Sequence, residues 1–314
     1  MYKFVLALAL SSLLLISAPA ADADEHGQKA VLVTGASSGI GRNITETLAK
    51  QGYFVYAGAR KQEDLNALDA IDNVKSVRLD VNEQEEIDAA VAAIRREGRG
   101  LHGIVNNAGV VVLGPLIEID EADMQFQMNV NLFGPYRITR AFAPMIIESQ
   151  GRIVTIGSIS GILSGPFAGP YSMSKHAVEA FTDSLAVEME QFGVHVSVVE
   201  PGNYRSDILM TLRERMQRRG QTGEGSLYEE RYKNILSTPA DRAQYKEPDE
   251  VSAAVAHALF AENPKRRYLV VPNQREAEIT ITKAIEELVQ LNEDHAYSYS
   301  RDQLVEMLDA ALAE

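Results

Sequence analysis

Short apolar, β-branched runs alternate along the chain with segments whose apolar residues recur at helical spacing. Seven runs predict strands: 30–34, 53–57, 74–79, 103–106, 152–156, 194–199 and 268–271. Helical spacing lies between them, around 44–49, from 61, and over 83–96, 121–148, 171–192 and 247–261. Strands that alternate with helices favour right-handed βαβ units. The pattern therefore predicts an α/β fold built on a parallel sheet.

Two parts of the chain leave this alternation. Residues 203–246 combine a few apolar positions with many charges and glycine breaks, which predicts a helical lid inserted over the sheet edge. Residues 273–314 carry two more amphipathic patterns and predict a helical C-terminal tail. The catalytic domain is then expected to span 29–272.

The long helical pattern of 121–148 is interrupted by Gly134-Pro135. A proline in a helix interior removes one backbone hydrogen bond and kinks the axis. Asn131 lies one turn before this break. We expect freed carbonyls and the Asn131 amide to hold a water molecule there.

The first 20 residues form a separate segment. Lys3 precedes an apolar run from Phe4 to Ile16, and Ala18-Pro19-Ala20 has the small-x-small pattern of a cleavage site. The run is shorter than the ~20 residues that span a bilayer, so a cleaved signal peptide is favoured. An uncleaved anchor stays open as the alternative. The expected location is accordingly a periplasm or secretory lumen, or a membrane reached through the N-terminus, and 21–28 is a linker.

Composition narrows the ligand classes. The 314 residues carry a formal net charge of -14, which disfavours a nucleic-acid partner and favours a small soluble ligand. The absence of cysteine excludes disulfides, thiolate catalysis and cysteine-based metal sites. The six histidines show no metal-ligand spacing, so no metal site is predicted.

The first predicted strand runs into a glycine loop that precedes a helix. Gly35, Gly39 and Gly41 follow a GxxxGxG spacing. Glycine lets the backbone approach a ligand closely, and free amides with the helix dipole favour a phosphate. A glycine-rich turn without a ligand is the alternative. The strand and helix on either side favour a dinucleotide-binding loop.

Polar residues end two further strands. Asp80 ends the third strand, and Asn106-Asn107-Ala108-Gly109 ends the fourth. Ligands bind at the carboxyl ends of strands in open α/β sheets. For either position alone, loop capping by the polar side chain is the better interpretation.

Tyr171 and Lys175 are four residues apart, which places both side chains on one face of a helical turn. Lowering the pKa of a phenol by ~2 units needs about 2.7 kcal/mol of differential interaction. We expect the Lys175 ammonium to supply it, so that Tyr171 becomes a general acid/base. The pair alone is weak evidence, because this spacing occurs by chance on many solvated helix faces.

Taken together, these features resemble the classical short-chain dehydrogenase/reductase family over about 29–271. The residues that carry the resemblance are the glycine loop, Asp80, Asn106 to Gly109, Asn131, Ser158, the Tyr171/Lys175 pair and Pro201-Gly202. The resemblance implies a doubly wound, seven-stranded parallel Rossmann sheet and a nicotinamide cofactor. It further implies hydride transfer to or from the carbonyl carbon of a hydrophobic alcohol or ketone.

The resemblance also implies roles for individual residues. Tyr171 would exchange a proton with the substrate oxygen, and Lys175 would lower its pKa and hold the nicotinamide ribose. Ser158 would hydrogen-bond the substrate oxygen, and Asn131 would keep the water of a proton relay. The implied cofactor-binding positions are Gly35, Ser37, Gly39, Ile40, Gly41, Asp80, Asn107, Gly109, Tyr171, Lys175, Pro201, Gly202 and Ser206. Gly157 and Ser206 depart from the residues common in the family, without affecting the expected activity.

Cofactor choice depends on the end of the second strand. An enzyme that prefers NAD usually carries an acidic residue about twenty positions past the glycine loop, where it binds the ribose 2′-hydroxyl. Ala59 stands in that place, followed by Arg60, whose planar fork suits a 2′-phosphate. A solvated arginine is the alternative. NADP(H) is predicted over NAD.

Two other functions remain open at this stage. A non-catalytic NADP-binding regulatory protein would share the fold, although the complete set of Asn131, Ser158, Tyr171 and Lys175 argues against it. A lyase or epimerase on the same scaffold usually has a different glycine spacing and a larger C-terminal domain.

The family resemblance further implies a homodimer or homotetramer formed through the helices that carry Asn131 and Tyr171.

Overall fold

The computed structural model describes residues 27–313 and contains a seven-stranded parallel sheet. Its strands are β1 (Ala30–Val33), β2 (Phe54–Ala59), β3 (Val74–Arg78), β4 (Gly103–Asn106), β5 (Arg152–Ile156), β6 (His195–Pro201) and β7 (Arg267–Val270). Their spatial order is β3-β2-β1-β4-β5-β6-β7, so the order reverses between β1 and β4. All seven predicted strands are confirmed. The reversal point is where open α/β sheets bind ligands.

Eleven α-helices connect or follow the strands within residues 27–313. They are α1 (Gly39–Lys50), α2 (Gln62–Asp69), α3 (Gln84–Glu97), α4 (Glu121–Met128), α5 (Gly134–Glu148), α6 (Gly169–Glu190), α7 (Ile208–Arg218), α8 (Glu229–Ser237), α9 (Asp249–Phe260), α10 (Gln274–Leu291) and α11 (Arg301–Ala313). Asn129–Phe133 forms a π-helical segment between α4 and α5, and Ile159–Gly161 forms a 3₁₀ turn after β5.

Helices cover both faces of the sheet and close two apolar cores. Val31 and Val33 of β1 belong to the core under α1, α2 and α9. Ala30 and Leu32 of the same strand belong to the opposite core, under α3, α5 and α6. Because successive side chains of a strand point to opposite faces, β1 is buried on both sides. The predicted doubly wound α/β fold is confirmed.

The helix predicted over 121–148 is present and has a π-helical segment inside it. The backbone passes from α4 through Asn129–Phe133 into α5 without leaving the helical conformation, because the residues at both junctions have right-handed helical dihedrals. Pro135 follows the π-segment after Gly134 and has no N–H to donate to the preceding turn. The position of the interruption is therefore confirmed, and the proline as its cause stays a prediction.

The predicted lid region 203–246 contains α7 and α8, and the predicted tail contains α10 and α11. The N-terminal end of α10 is tied to the end of β6, because Glu276 Oε2 accepts a hydrogen bond of 2.8 Å from the backbone N–H of Asn203. Thr280 of α10 is buried, whereas α11 buries none of its described side chains.

The predicted signal peptide or anchor, 1–20, lies outside the described residues, as does most of the 21–28 linker. Among the helices of residues 27–313, none has the length and hydropathy that a membrane crossing requires.

Candidate active site

A pocket of about 510 Å³ opens along the carboxyl ends of β1, β2, β4, β5 and β6. It brings together every residue that the sequence predicted for the site. These residues are Gly35, Ser37, Gly39, Ile40, Gly41, Arg60, Asp80, Asn107, Gly109, Asn131, Ser158, Tyr171, Lys175, Pro201, Gly202 and Ser206. The pocket lies at the topological switch point, where the order of strands reverses.

The glycine loop between β1 and α1 is closely packed. Gly35 and Gly39 have φ of +64° and +53°, a left-handed backbone that L side chains rarely adopt. A Cβ at Gly41 would lie 2.2 Å from the carbonyl oxygen of Gly35 and 2.3 Å from Asn107 Nδ2. A Cβ at Gly39 would lie 3.2 Å from Ser206 Cβ. The loop therefore requires glycine at these positions.

Asn107 acts on the glycine loop from the end of β4. Its Nδ2 donates to the carbonyl oxygens of Thr34 and Gly35 at 2.9 and 3.1 Å. Thr34 Oγ1 in turn accepts hydrogen bonds of 3.0 Å from the backbone N–H groups of Asn107 and Ala108. These bonds fix the loop that lines the pocket. Sequence reasoning missed Thr34, because a threonine at a strand end has no feature that separates it from an ordinary strand residue.

The first turn of α1 faces the pocket in a form suited to an anion. Its N-cap residue, Ser38, makes no side-chain capping bond, and the turn contains no acidic residue. The initial N–H groups of a helix have no partner within the helix. With the helix dipole they favour a phosphate at this position.

Arg60 lies at the end of β2, with 64% of its side chain exposed. Its Nη1 donates to Asp80 Oδ2 at 3.4 Å. An exposed ion pair contributes ~0–1 kcal/mol, so this one can exchange for another anion at small cost. Asp80 also accepts a 2.9 Å hydrogen bond from the backbone N–H of Asn82. Asp80 thus both caps a loop and lines the pocket.

Asn131 is buried in the π-segment, and its amide is committed to protein partners. Oδ1 accepts from the backbone N–H of Val110 at 2.8 Å. Nδ2 donates to the carbonyl oxygen of Val110 at 3.0 Å and to Ser174 Oγ at 3.1 Å. Both N–H groups of the amide are thus used within the protein, and the water expected at Asn131 and the freed carbonyls stays a prediction. Asn131 joins the segment after β4 to the helical turn that carries Tyr171.

Tyr171 and Lys175 occupy one face of the first turns of α6, as predicted from their spacing. Lys175 Nζ lies 5.7 Å from the centre of the Tyr171 ring and donates to the carbonyl oxygen of Ile156 at 2.7 Å. Ser174 Oγ donates to the carbonyl oxygen of Tyr171 at 2.7 Å. The pair is thereby held against the end of β5 and the π-segment.

Burial dominates the electrostatics of the pair. It raises the pKa of the Tyr171 phenol above its ordinary value, while a hydrogen bond with Ser158 and the charge of Arg242 act in the opposite direction. Burial also lowers the pKa of Lys175 to about 8, against the charge of Glu179. In the chain alone the net direction is opposite to the predicted lowering of the Tyr171 pKa, because desolvation of the phenolate outweighs the nearby charges.

Ser158 combines a structural and a site position. It is the N-cap of the 3₁₀ turn, and its Oγ accepts a 3.1 Å hydrogen bond from the backbone N–H of Ser160. The same hydroxyl is hydrogen-bonded with Tyr171. Ser158 and Tyr171 therefore present neighbouring hydroxyls, a pair able to bind one substrate oxygen.

The lid places apolar side chains beside the phenol. Leu212 and Met216 of α7 form a buried cluster with Val111, and Tyr171 packs against this cluster. Tyr232 and Leu236 of α8 pack there as well. Sequence reasoning identified a lid but not this wall, because contacts between the lid and the segment after β4 carry no local pattern.

The pocket fits a dinucleotide. Its volume lies within the ~300–1,000 Å³ usual for small-molecule sites. One end has the glycine loop and the first turn of α1 for phosphates, and the other has Tyr171, Lys175 and Ser158. The nucleotide would therefore lie across the reversal point with its reactive end near Tyr171.

Comparisons with known proteins agree with this geometry. Residues 29–217 match the family model described as short chain dehydrogenase. The uncharacterized oxidoreductase YbbO of Escherichia coli (strain K12) is 35% identical over 246 residues, covering 77% of this chain and 86% of that protein. The mitochondrial D-beta-hydroxybutyrate dehydrogenase of Mus musculus is 33% identical, covering 79% and 78%. The NADPH-dependent 3-dehydrocapnine reductase of Ornithobacterium rhinotracheale is 31% identical, covering 77% and 88%.

A solved structure shows the same architecture. The short-chain dehydrogenase of Streptomyces avermitilis superposes with a TM-score of 0.71 at 29% identity. The match covers 86% of this chain and 96% of that one.

Proposed function

The chain belongs to the short-chain dehydrogenase family, and from this premise we propose that it transfers a hydride between NADP(H) and a hydrophobic alcohol or carbonyl compound, with Tyr171 as general acid/base. The family assignment makes it an oxidoreductase that acts on CH–OH groups. The observation that carries the finer proposal is the convergence of Tyr171, Ser158 and Lys175 with the glycine loop in one pocket.

Each of these side chains has a task in the reaction. Bound NADP(H) supplies or accepts the hydride at the substrate carbon. In the reducing direction, Tyr171 donates its proton to the carbonyl oxygen as the alcohol forms, and Ser158 hydrogen-bonds the same oxygen. A tyrosine phenol is protonated near neutral pH, which is the form that this step needs. Lys175 stabilises the phenolate left behind and holds the ribose, while backbone carbonyls of the π-segment are candidates for the relay water.

NADP(H) is favoured by the end of β2. Ala59 places no carboxylate against a 2′-phosphate, and the exposed Arg60 lines the pocket with only a weak ion pair to Asp80. A hydrogen bond to a charged group contributes ~1.5–3 kcal/mol. The similarity to a reductase named as NADPH-dependent gives further support.

A hydrophobic substrate is favoured by the wall beside Tyr171. The cluster of Val111, Leu212 and Met216 offers apolar surface next to the reacting hydroxyl. Burial of apolar surface contributes roughly 25 cal/mol per Å², so an alkyl or ring substituent gains affinity by packing there.

The decisive experiment is NADPH oxidation with a panel of hydrophobic aldehydes and ketones, using wild type and Tyr171→Phe. Loss of the proton donor should reduce turnover by about 10²–10⁴-fold, with cofactor affinity nearly unchanged. Tyr297→Phe, at an exposed tyrosine between α10 and α11, is the matched control and should retain full activity. A Tyr171→Phe protein with more than about a tenth of the wild-type rate would contradict the assignment. No turnover with any substrate, despite tight NADPH binding, would favour the non-catalytic alternative.

A homodimer or homotetramer is part of the proposal. Large apolar side chains are exposed on the π-segment, α5 and α6, namely Phe133, Tyr136, Met173 and Val187. Exposed apolar surface on neighbouring helices is typical of a subunit interface. Light scattering at micromolar concentration should give a dimeric or tetrameric mass, and a monomer would contradict this part.

A further inference from the structure

Arg242, which follows α8, reaches the pocket from the lid. Its side chain is among those that line the pocket with Tyr171. Nη2 donates to Asn203 Oδ1 at 2.8 Å, and the guanidinium carbon lies 4.4 Å from the centre of the Tyr245 ring. These two contacts hold the guanidinium at the end of β6, just beyond Gly202.

None of the salt bridges within residues 27–313 involves Arg242, and one of its donors is unsatisfied. Its Nε is buried and has no hydrogen-bond partner within residues 27–313. Glu276 is near enough to act on it electrostatically, but Glu276 already accepts hydrogen bonds from the backbone of Asn203 and from Asn273 Nδ2. Burial lowers the pKa of Arg242, and a guanidinium stays protonated in proteins. A buried donor of a cation that lacks a hydrogen-bond partner is costly unless an anion accepts from it.

The position of Arg242 indicates which kind of ligand would accept a hydrogen bond from its unsatisfied Nε. The phosphate end of the pocket lies at the glycine loop and Arg60, whereas Arg242 acts electrostatically on Tyr171, at the reacting end. The apolar cluster with Leu212 and Met216 lies beside the same tyrosine. A ligand that contacts Arg242, Tyr171 and the apolar cluster together has three parts. It has an apolar body, a carbonyl or hydroxyl group at Tyr171, and an anionic group at the guanidinium.

We propose that Arg242 binds a carboxylate of the substrate, so that the preferred substrates are hydroxy acids or oxo acids with an apolar chain. This inference rests on the proposed function. A guanidinium matches a planar carboxylate through parallel N–H bonds. One cation with one unsatisfied donor suits a singly charged carboxylate better than a doubly charged phosphate. Arg242 is thus a specificity-determining residue that contacts the part of the substrate that does not react.

The test compares medium-chain oxo acids with their methyl esters in NADPH-dependent reduction. The ketone position is varied along the chain, because the span from Tyr171 to Arg242 selects one spacing. The wild type should reduce at least one acid with kcat/KM about ten- to a hundredfold above that of its ester. Arg242→Leu should abolish that preference by raising KM for the acid, so that the acid loses more kcat/KM than its ester. Arg242→Lys should retain only part of it.

Arg205→Leu is the matched control. Arg205 lies two residues after Asn203, the residue that Arg242 contacts, but it is exposed, is paired with Glu247 and does not line the pocket. This variant removes the same charge and should leave the acid preference intact. Calorimetric binding of acid and ester to the NADP-loaded protein gives a second measurement that is independent of turnover. The acid should bind at least about tenfold more tightly to wild type and equally to Arg242→Leu.

Three results would overturn the inference. One is a wild type that reduces and binds the esters as well as the acids at every ketone position. Another is an Arg242→Leu protein in which acid and ester lose activity equally. The third is an Arg242→Leu protein with weakened NADPH binding, which would place the guanidinium on the cofactor. Reduction of esters without acid preference refutes only the carboxylate site, whereas absence of all reduction refutes the proposed function.

Discussion

At the scale of single residues, Gly41 is the position where one added carbon has the largest effect on the site. A Cβ there would lie 2.2 Å from the carbonyl oxygen of Gly35. Gly41→Ala must therefore move the loop that is expected to bind phosphate. We expect a loss of stability of about 1–3 kcal/mol, as for other overpacked sites, and at least tenfold weaker NADPH binding.

Fluorescence titration with NADPH and thermal unfolding measure the two effects. Gly165→Ala is the matched control, because a Cβ at Gly165 would meet nothing within 4 Å and its φ is not positive. It should change neither quantity. Normal NADPH affinity in Gly41→Ala would show that the loop does not contact the cofactor.

Arg60 carries the predicted choice of cofactor. Replacing it with alanine should lower kcat/KM for NADPH by roughly ten- to a hundredfold and leave NADH nearly unaffected. Adding Ala59→Asp should reverse the preference, because the new carboxylate repels a 2′-phosphate. Arg78→Ala is the control, since Arg78 pairs with Glu86 at 3.0 Å outside the pocket. A wild type that favours NADH would show that Arg60 does not act on the cofactor.

The sequence identified the residues of the pocket but not their electrostatic balance. Order and spacing of Gly35, Asn107, Ser158 and Tyr171 were sufficient to place them together, because motifs at successive strand ends meet at one edge of the sheet. The direction of the Tyr171 pKa depends on desolvation, which is a property of the packed molecule. The unsatisfied Nε of Arg242 could not be foreseen for the same reason.

At the scale of elements, β6, β7 and α6 meet in a charged cluster. Arg267 of β7 pairs with Glu200 of β6 at 2.8 Å and with Glu179 of α6 at 2.9 Å. Burial and the neighbouring Glu179 raise the pKa of Glu200 from 4.5 to about 8. Only 1% of the Glu200 side chain is exposed. The raised pKa therefore favours a proton on the Glu200–Glu179 pair of carboxyls near neutral pH.

This cluster gives stability a defined dependence on pH. Between 4.5 and about 8, the folded chain keeps a proton on Glu200 that the unfolded chain has lost. The free energy of unfolding should accordingly fall as the pH rises through this window. Glu200→Gln mimics the protonated form and should flatten that slope, with a gain of about 1–3 kcal/mol near pH 8 relative to wild type. Urea unfolding at several pH values measures it.

Glu190→Gln serves as the control, because Glu190 pairs with Arg266 at an exposed site near the cluster. It should leave the slope as in wild type. An unchanged slope in Glu200→Gln would mean that Glu200 is ionised at neutral pH.

Elements were predictable where the pattern is local. Strands β4 and β5 have the predicted ends, because apolar runs between helices in a parallel sheet leave little freedom. The π-segment was not predictable as such. Asn131 within it donates hydrogen bonds to Val110 and Ser174, which are distant in the sequence and so leave no local pattern.

At the scale of the whole molecule, the two tail helices differ in how they are attached. Helix α10 contributes Glu276 to the loop after β6 and buries Thr280, whereas α11 buries no described side chain. Removing 293–314 should change Tm by no more than about 2 °C. Removing 273–314 should lower it by at least about 4 °C, because the contacts of Glu276 and Thr280 are lost with α10. A loss of 1 kcal/mol shifts Tm by about 2–4 °C in a large domain, so this expectation corresponds to roughly 1–2 kcal/mol.

Differential scanning fluorimetry of the two truncated proteins makes the comparison, with the shorter deletion as control for the longer. A large loss of stability from removing α11 alone would show that α11 packs against another subunit.

The overall architecture was predictable from the sequence. The packing of the 203–246 insert against the rest of the molecule was not. Seven alternating runs were sufficient for a parallel α/β sheet, and the family resemblance implied its doubly wound order, which the structure has. The predicted lid is mostly polar, and its apolar residues can be interpreted only from the residues that they contact, as Leu212 is beside Val111. Tertiary contacts of that kind have no local signature.

The position of α7 has a consequence for the order in which ligands add. Ile208 and Thr211 line the same pocket as the glycine loop, while Leu212 and Met216 pack in the cluster beside Tyr171. One helix thus borders both binding sites. A nucleotide that orders α7 on binding therefore also positions Leu212 and Met216 for contact with the carbonyl substrate. Thermodynamic linkage makes this assistance mutual. The enzyme should therefore follow a compulsory sequence, nucleotide first and last, and a carbonyl compound added alone should bind poorly.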